Sequence, residues 1–210
     1  MDTYVFADIH GMHHKLLDLL QRVPFRADKD TLVFLGDYID RGPNSKEVVE
    51  TILALMDSGI RVICLRGNHE CMLDDYLAER ETLLFLYNGG VATLKSYDQY
   101  PLSGGETVLP DRHRSFLTHL QPYFEMDEFI LVHAGLRPGI PLDQQEEKDL
   151  FWIRTEFIFS DYDFGKTVVF GHTPFSQPFI RPKRIGIDTG AVYGNKLTCI
   201  RLPDIEFFSV

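Results

Sequence analysis

The chain has little cysteine and no disulfide spacing. Cys64, Cys71 and Cys199 form no Cys-x-x-Cys pair, and an odd, scattered set excludes a disulfide framework and suits a reducing compartment. Positive charge is scarce too. Lys and Arg number 21 against 31 Asp and Glu, a formal net charge of -10, which argues against a basic surface that could grip a nucleic-acid backbone. No run approaches the ~18 apolar residues of a membrane span. The acidic start Met-Asp-Thr-Tyr-Val-Phe lacks the basic head of a signal peptide. The expected setting is therefore the cytoplasm, with neither nucleic acid nor membrane as partner.

Missing motifs narrow the chemistry further. A cysteine phosphatase needs Cys-x5-Arg, but the arginine position holds Glu70, Leu77 or Ile205 after the three cysteines. A Walker loop needs a glycine where Ser160 precedes Gly165-Lys166-Thr167. No Gly-x-Ser-x-Gly elbow occurs. A hydrolase working through a side-chain nucleophile is unsupported.

What is present is an ordinary globular composition, 44% hydrophobic and 25% charged over 210 residues, with no repeat or low-complexity linker. One domain over 1–210 is expected. Apolar, β-favouring runs recur at Tyr4–Ala7, Thr31–Leu35, Arg61–Leu65, Glu128–Val132, Thr167–Phe170, Arg184–Ile187 and Lys196–Leu202. Helical periodicity falls between several of them. His13–Val23 repeats apolar side chains at Leu16, Leu17, Leu19 and Leu20, Ser45–Ser58 carries a similar stripe, and Leu73–Tyr87 and Arg112–Leu120 predict two more helices. Strands alternating with helices predict an α/β architecture. The glycine-bearing stretch Asn88–Pro110 reads as a long irregular loop and a candidate substrate-contacting region.

The chemistry sits at the strand ends. Tyr4–Ala7 runs into Asp8-Ile9-His10-Gly11, Thr31–Leu35 into Gly36-Asp37-Tyr38-Ile39-Asp40-Arg41-Gly42, and Arg61–Leu65 into Arg66-Gly67-Asn68-His69-Glu70. Later runs end at His133-Ala134-Gly135 and Gly171-His172-Thr173. A lone aspartate after a strand is usually a turn former or helix N-cap. An ordered series of strands, each delivering Asp, His or Asn where open α/β sheets bind ligands, indicates a shared site. Carboxylate, imidazole and amide oxygen without thiolate suit Mn, Fe or Zn.

These motifs resemble the phosphoprotein-phosphatase branch of the calcineurin-like metallophosphoesterases: Asp-x-His-Gly, Gly-Asp-x-x-Asp-Arg-Gly, Gly-Asn-His-Glu, then His-Ala-Gly and Gly-His-Thr. The compact length looks most like the bacterial and bacteriophage lambda-type serine/threonine phosphatases. One departure is Ala7 where the first motif usually has glycine. The resemblance implies an αββα sandwich of two mixed β-sheets flanked by helices. It implies two divalent metal ions per chain, Mn²⁺ foremost with Fe or Zn possible. Asp8 and His10 would hold the first, Asn68, His133 and His172 the second, and Asp37 would bridge them. His69 would serve as general acid, oriented by Asp40, while Arg41 and Arg154 would contact the phosphoryl oxygens.

The chemistry explains the donor set. Two cations neutralise a phosphate dianion and lower the pKa of a water, so hydroxide attacks phosphorus in line. Arginine's planar fork suits the remaining oxygens, and a protonated histidine assists a basic leaving group. The leading expectation is a serine/threonine protein phosphatase that also accepts small phosphate esters. The alternative is a symmetrical bis(5'-nucleosyl)-tetraphosphate hydrolase, which shares every motif and differs in the loops, Asn88–Pro110 and Pro138–Asp149. A silent binding module usually loses a ligand or the general acid, and none is missing here.

Other polar residues receive plainer readings. Arg66 and Glu70 read as groups that orient the ligands, and Asp188 as either a ligand support or a turn former. Tyr193 and Asn88-Gly89-Gly90 are candidates for lining the substrate pocket. His13, His14, His113 and His119 lie in helical patterns outside the motifs and read as surface or helix-end residues.

Overall fold

Strand alternation is what stacks two sheets here. In the computed structural model, which describes residues 1–98 and 109–210, β1 (Thr3–Phe6), β2 (Thr31–Phe34) and β3 (Arg61–Cys64) pair in parallel. β9 (Thr198–Leu202) and β10 (Glu206–Ser209) add antiparallel strands beside β1, in the order β10-β9-β1-β2-β3. The second sheet has β4 (Tyr123–Glu125), β5 (Phe129–Val132), β6 (Thr167–Phe170), β7 (Phe179–Arg181) and β8 (Arg184–Gly186) in the order β4-β5-β6-β8-β7. Its three central strands are parallel and its two edges antiparallel.

Successive residues face opposite layers. Val5, Val33 and Ile63 of the first sheet meet Leu131, Val169 and Ile185 of the second in a shared core. Their neighbours Tyr4, Phe6, Leu32 and Phe34 point outward to helices α1 (His13–Arg22) and α2 (Ser45–Asp57), which supply Leu16, Leu19, Val48 and Ile52. On the far side Ile130, Val132, Val168 and Phe170 pack under α7 (Glu147–Trp152) and α8 (Thr155–Ile158). Strands buried on both faces explain the nearly continuous apolar runs. Each fully buried Val, Leu or Phe contributes ~1.5–3 kcal/mol, so a charge at Val33 would strike the layer joining both sheets. The result is the expected αββα sandwich.

Every expected strand is present within a residue or two, and α1 and α2 end one residue early. Pro24 stops α1 by holding Val23 extended, at φ -76 and ψ 129. The third helix is corrected. It starts inside the motif, at Asn68, because the Glu70 carboxylate accepts the Gly67 N–H at 3.0 Å, and it ends at Leu77 as α3. The polar run Glu79-Arg80-Glu81, with Glu79 at φ 57, breaks the apolar stripe. A short turn, α4 (Leu83–Phe85), leads through Leu86–Gly90 into α5 (Val91–Ser96). The irregular reading of Asn88–Pro110 is thus wrong over 91–96, and residues 99–108 lie outside the described residues. Leu142–Gln144 and α7 likewise give structure to the expected loop Pro138–Asp149.

The fourth helix is α6 (Asp111–Thr118). His113 upon it is not a surface residue: it is 5% exposed, and its Nδ1 lies 2.8 Å from the Tyr97 hydroxyl. His14 and His119 are exposed as expected. Among the described residues no helix is long and apolar enough to cross a membrane.

Candidate metal centre

The parallel strands of both sheets end at a common edge, and their following turns carry the motif residues. The turns are sharp. His10, Asp37, Asp40, Arg41 and His172 all have positive φ, between 47 and 72 degrees, a conformation costing of order 1 kcal/mol or more that persists only where surroundings enforce it. Backbone bonds enforce it here: the N–H groups of Ile9 and His10 donate to the Asp37 carbonyl at 3.1 and 2.8 Å, and Gly11 N–H donates to Tyr38 O at 2.9 Å. The glycines admit the carboxylates. A Cβ at Gly67 would stand 2.2 Å from Asp37 Oδ1, and one at Gly171 2.1 Å from Asp8 Oδ1.

Imidazole tautomers follow from their partners. The Nδ1–H of His10 donates to Ile39 O at 2.8 Å, that of His133 to Leu35 O at 3.0 Å, and that of His69 to Asp40 Oδ2 at 2.6 Å. All three Nε2 lone pairs then face the Asp37 carboxylate. His10 Nε2 is 3.3 Å and His69 Nε2 3.9 Å from Oδ2, while His133 Nε2 is 3.5 Å from Oδ1. His133 Nε2 and His172 Nδ1 lie 3.2 Å apart, each about as far from Asn68 Oδ1, at 3.0 and 2.9 Å. Two donor groups result, His10–Asp37–His69 and Asp37–His133–His172, sharing Asp37.

Lone pairs facing lone pairs call for a cation. Asp8 Oδ1 and His69 Nε2 are buried without a hydrogen-bond partner, while Asp8 Oδ2 accepts the His172 N–H at 2.9 Å. Burial holds His10 and His133 down to about 3 and pushes His69 and His172 down as well, which keeps the His10, His133 and His172 rings in the neutral form that can ligate a metal. Burial also raises Asp8, Asp37 and Asp40, with Asp188 adding to the rise at Asp8. The Arg41 charge opposes each of these rises. The donor types and their arrangement fit divalent cations, including the outward Nδ1–H bonds typical of metal-ligating histidine.

Residues 1–199 match the family described as calcineurin-like phosphoesterase. The chain belongs to that family. A bis(5'-nucleosyl)-tetraphosphatase PrpE [asymmetrical] of Bacillus cereus is 28% identical, over 98% of this chain and 92% of its own. A crystal structure of a candidate diadenosine tetraphosphatase superposes with TM-score 0.78 at 26% identity, covering 100% of this chain and 92% of that one. A serine/threonine phosphatase from Saccharomyces cerevisiae with similarity to human PP5 superposes at 0.69, over 96% of this chain and 72% of its own. At 17% identity that likeness concerns the fold alone.

Within this calcineurin-like phosphoesterase the two arginines flank the donor groups. Arg41 Nη1 lies 2.5 Å from His10 Nε2, and its guanidinium carbon sits 5.5 Å from the centre of the Tyr193 ring. Arg154 Nε donates to His172 Nε2 at 3.1 Å, leaving the ring proton on Nδ1 toward Asn68. Gly89 packs on Arg41, whose N–H donates to the Gly89 carbonyl at 3.1 Å. Glu70 accepts from the N–H groups of Asp37, Tyr38 and Gly67 at 2.9–3.0 Å, bracing the loop that carries Asp37. Arg66 behaves otherwise: it pairs with Asp74, and no hydrogen bond joins it to a proposed ligand among the described residues. Asp188 takes the turn-forming role, accepting the Gly190 N–H at 2.9 Å, and burial raises it to about 6; no hydrogen bond joins its side chain to a proposed ligand among the described residues.

Three residues escaped sequence reasoning. Thr93 on α5 donates to Asp40 Oδ1 at 2.6 Å and accepts the Asp40 N–H at 2.8 Å. Ser45 Oγ lies 3.1 Å from both Asp40 N and Thr93 Oγ1. Trp152 packs edge-on to His172. Thr93 and Ser45 belong to no motif, and Trp152, although it stands in Phe151-Trp152-Ile153-Arg154, has no spacing that signals its contact.

Proposed function

We propose that this phosphoesterase is a metal-dependent hydrolase of dinucleoside tetraphosphates that cleaves the phosphate bridge unequally, into mono- and triphosphate products. The observation that carries the metal site is the Asp37 carboxylate, whose two oxygens face two separate groups of nitrogen and oxygen donors. The substrate class rests on the end-to-end likeness to relatives named as asymmetrical tetraphosphatases. The sequence suggested protein phosphatase activity first and symmetrical cleavage second. The likeness favours a nucleotide substrate and asymmetrical cleavage.

Asp8, His10 and Asp37 would hold one cation, and Asp37, Asn68, His133 and His172 the other. Manganese is the proposed metal, given the nitrogen and oxygen donors and the absence of thiolate. When bound, such ions neutralise phosphate charge and make water nucleophilic near neutral pH. The chain's own groups do the rest. Arg41 and Arg154 donate to phosphoryl oxygens, and ligation through His172 Nδ1 would move the ring proton to Nε2 and release the Arg154 Nε–H for that purpose. Asp40 holds the His69 Nδ1–H, which aims Nε2 at the site; a proton carried there serves the leaving oxygen. Tyr193 borders the substrate through Arg41.

The test is to strip the protein with a chelator, restore it with Mn²⁺, and separate the products formed from diadenosine tetraphosphate. Unequal products, at a kcat/KM above that for a phosphoserine peptide, are expected. Equal diphosphate products would favour symmetrical cleavage, and preference for the peptide would return the protein-phosphatase reading.

A further inference from the structure

An exposed aromatic ring stands near each of the two proposed metal groups. Trp152, the chain's single tryptophan, ends α7 and is 40% exposed. Its neighbours Leu150, Phe151 and Ile153 are buried in the core, so the helix is anchored without it. The indole stands edge-on to the His172 ring, centroids 6.3 Å apart at an interplanar angle of 77°. Tyr193, 63% exposed, lies by the other donor group, beneath Arg41, which reaches His10. Single exposed aromatics are ordinary. Two of them, one against His172 and the other joined to His10 through Arg41, suggest a use.

We propose that Trp152 is a nucleobase platform: the base of the nucleotide whose phosphate lies against Arg154 stacks on the indole, with Tyr193 serving the second base. The proposal rests on the nucleotide reading above. A stacking platform tolerates any base, because every base has a π-face, so the enzyme should discriminate little among dinucleoside tetraphosphates of different bases. It also gives a rigid apolar contact that a phosphoserine side chain cannot use.

A single tryptophan makes the platform directly visible. With the full-length, Mn²⁺-loaded protein, AMP should quench tryptophan fluorescence saturably. Ribose 5-phosphate, with the same phosphate and sugar but no base, should compete with AMP while causing much less quenching. Trp152→Ala should raise KM for diadenosine tetraphosphate about tenfold, the scale of one lost base–aromatic stack, and change Ki for ribose 5-phosphate by clearly less. Trp152→Phe keeps a ring and should recover most of the affinity, which separates stacking from a folding defect. Equal quenching by both probes, or an unchanged KM in Trp152→Ala while diadenosine tetraphosphate is still hydrolysed, would overturn the platform and leave the nucleotide reading standing. Failure to hydrolyse any dinucleoside polyphosphate would overturn both.

Discussion

Thr93→Val tests whether α5 holds the Asp40–His69 pair in place. Valine matches threonine in shape but lacks the hydroxyl, which donates to Asp40 Oδ1 at 2.6 Å and accepts the Asp40 N–H at 2.8 Å. The N–H keeps Ser45 Oγ at 3.1 Å, so the loss falls on a carboxylate that is fully buried. A hydrogen bond to a charged group is worth ~1.5–3 kcal/mol. At ~2–4 °C of Tm per kcal/mol for a chain of this size, the variant should melt about 3–12 °C lower. A loosened Asp40 also misplaces His69, so turnover should fall about tenfold for an alkyl phosphate, short of the ~10²–10⁴ attributed to a general acid. The fall should be smaller for p-nitrophenyl phosphate, whose leaving group needs little protonation. Thr93→Ser restores the hydroxyl and should recover both properties. Melting and leaving-group dependence like the wild type in Thr93→Val would refute the reasoning.

Two further predictions follow from named contacts. Arg154→Lys keeps the charge but removes the planar fork; since a charged hydrogen bond is worth ~1.5–3 kcal/mol, Ki for inorganic phosphate should rise about tenfold or more, read by steady-state inhibition. Asp30 is 1% exposed and accepts from the side chain of Arg26 and from the backbone N–H groups of Asp2 and Arg26, and these bonds, the Arg26 side chain foremost, hold its carboxyl well below the usual carboxylate range. A depressed folded pKa gives stability that is present above the unfolded value of about 3.9 and lost as pH falls through the folded value. The Tm gap between wild type and Asp30→Asn should therefore be full at pH 7 and shrink on acidification below about pH 4; a gap independent of pH would show that charge is not its source.

Much of the fold was legible because the central strands are buried on both faces, and burial writes itself into sequence as apolar runs such as Thr31–Leu35. The edge strands β4, β7 and β10 are half-exposed, and such short mixed runs as Tyr123–Glu125 leave no comparable mark. The candidate donors were legible because each follows a strand end and glycine marks its turn. Which oxygen of Asp37 faces which histidine was not, since it depends on the meeting of two sheets. Thr93 and Trp152 were missed, and the buried His113 was misread as a surface residue, for a related reason: their roles come from packing across the molecule, and their local sequence reads as ordinary helix or loop.

The sharing of Asp37 between two cations is the central claim, and metal titration of Asp37→Asn tests it most directly. Metal-free wild-type protein titrated with Mn²⁺ by calorimetry, with bound metal counted independently, should take up two ions. Removing the shared charge should weaken both sites, each by at least about tenfold, since even outer partners of metal ligands typically cost 10–100-fold. His10→Asn should weaken one site alone. Loss of a single ion in Asp37→Asn, with the second bound at wild-type affinity, would contradict the shared-carboxylate account.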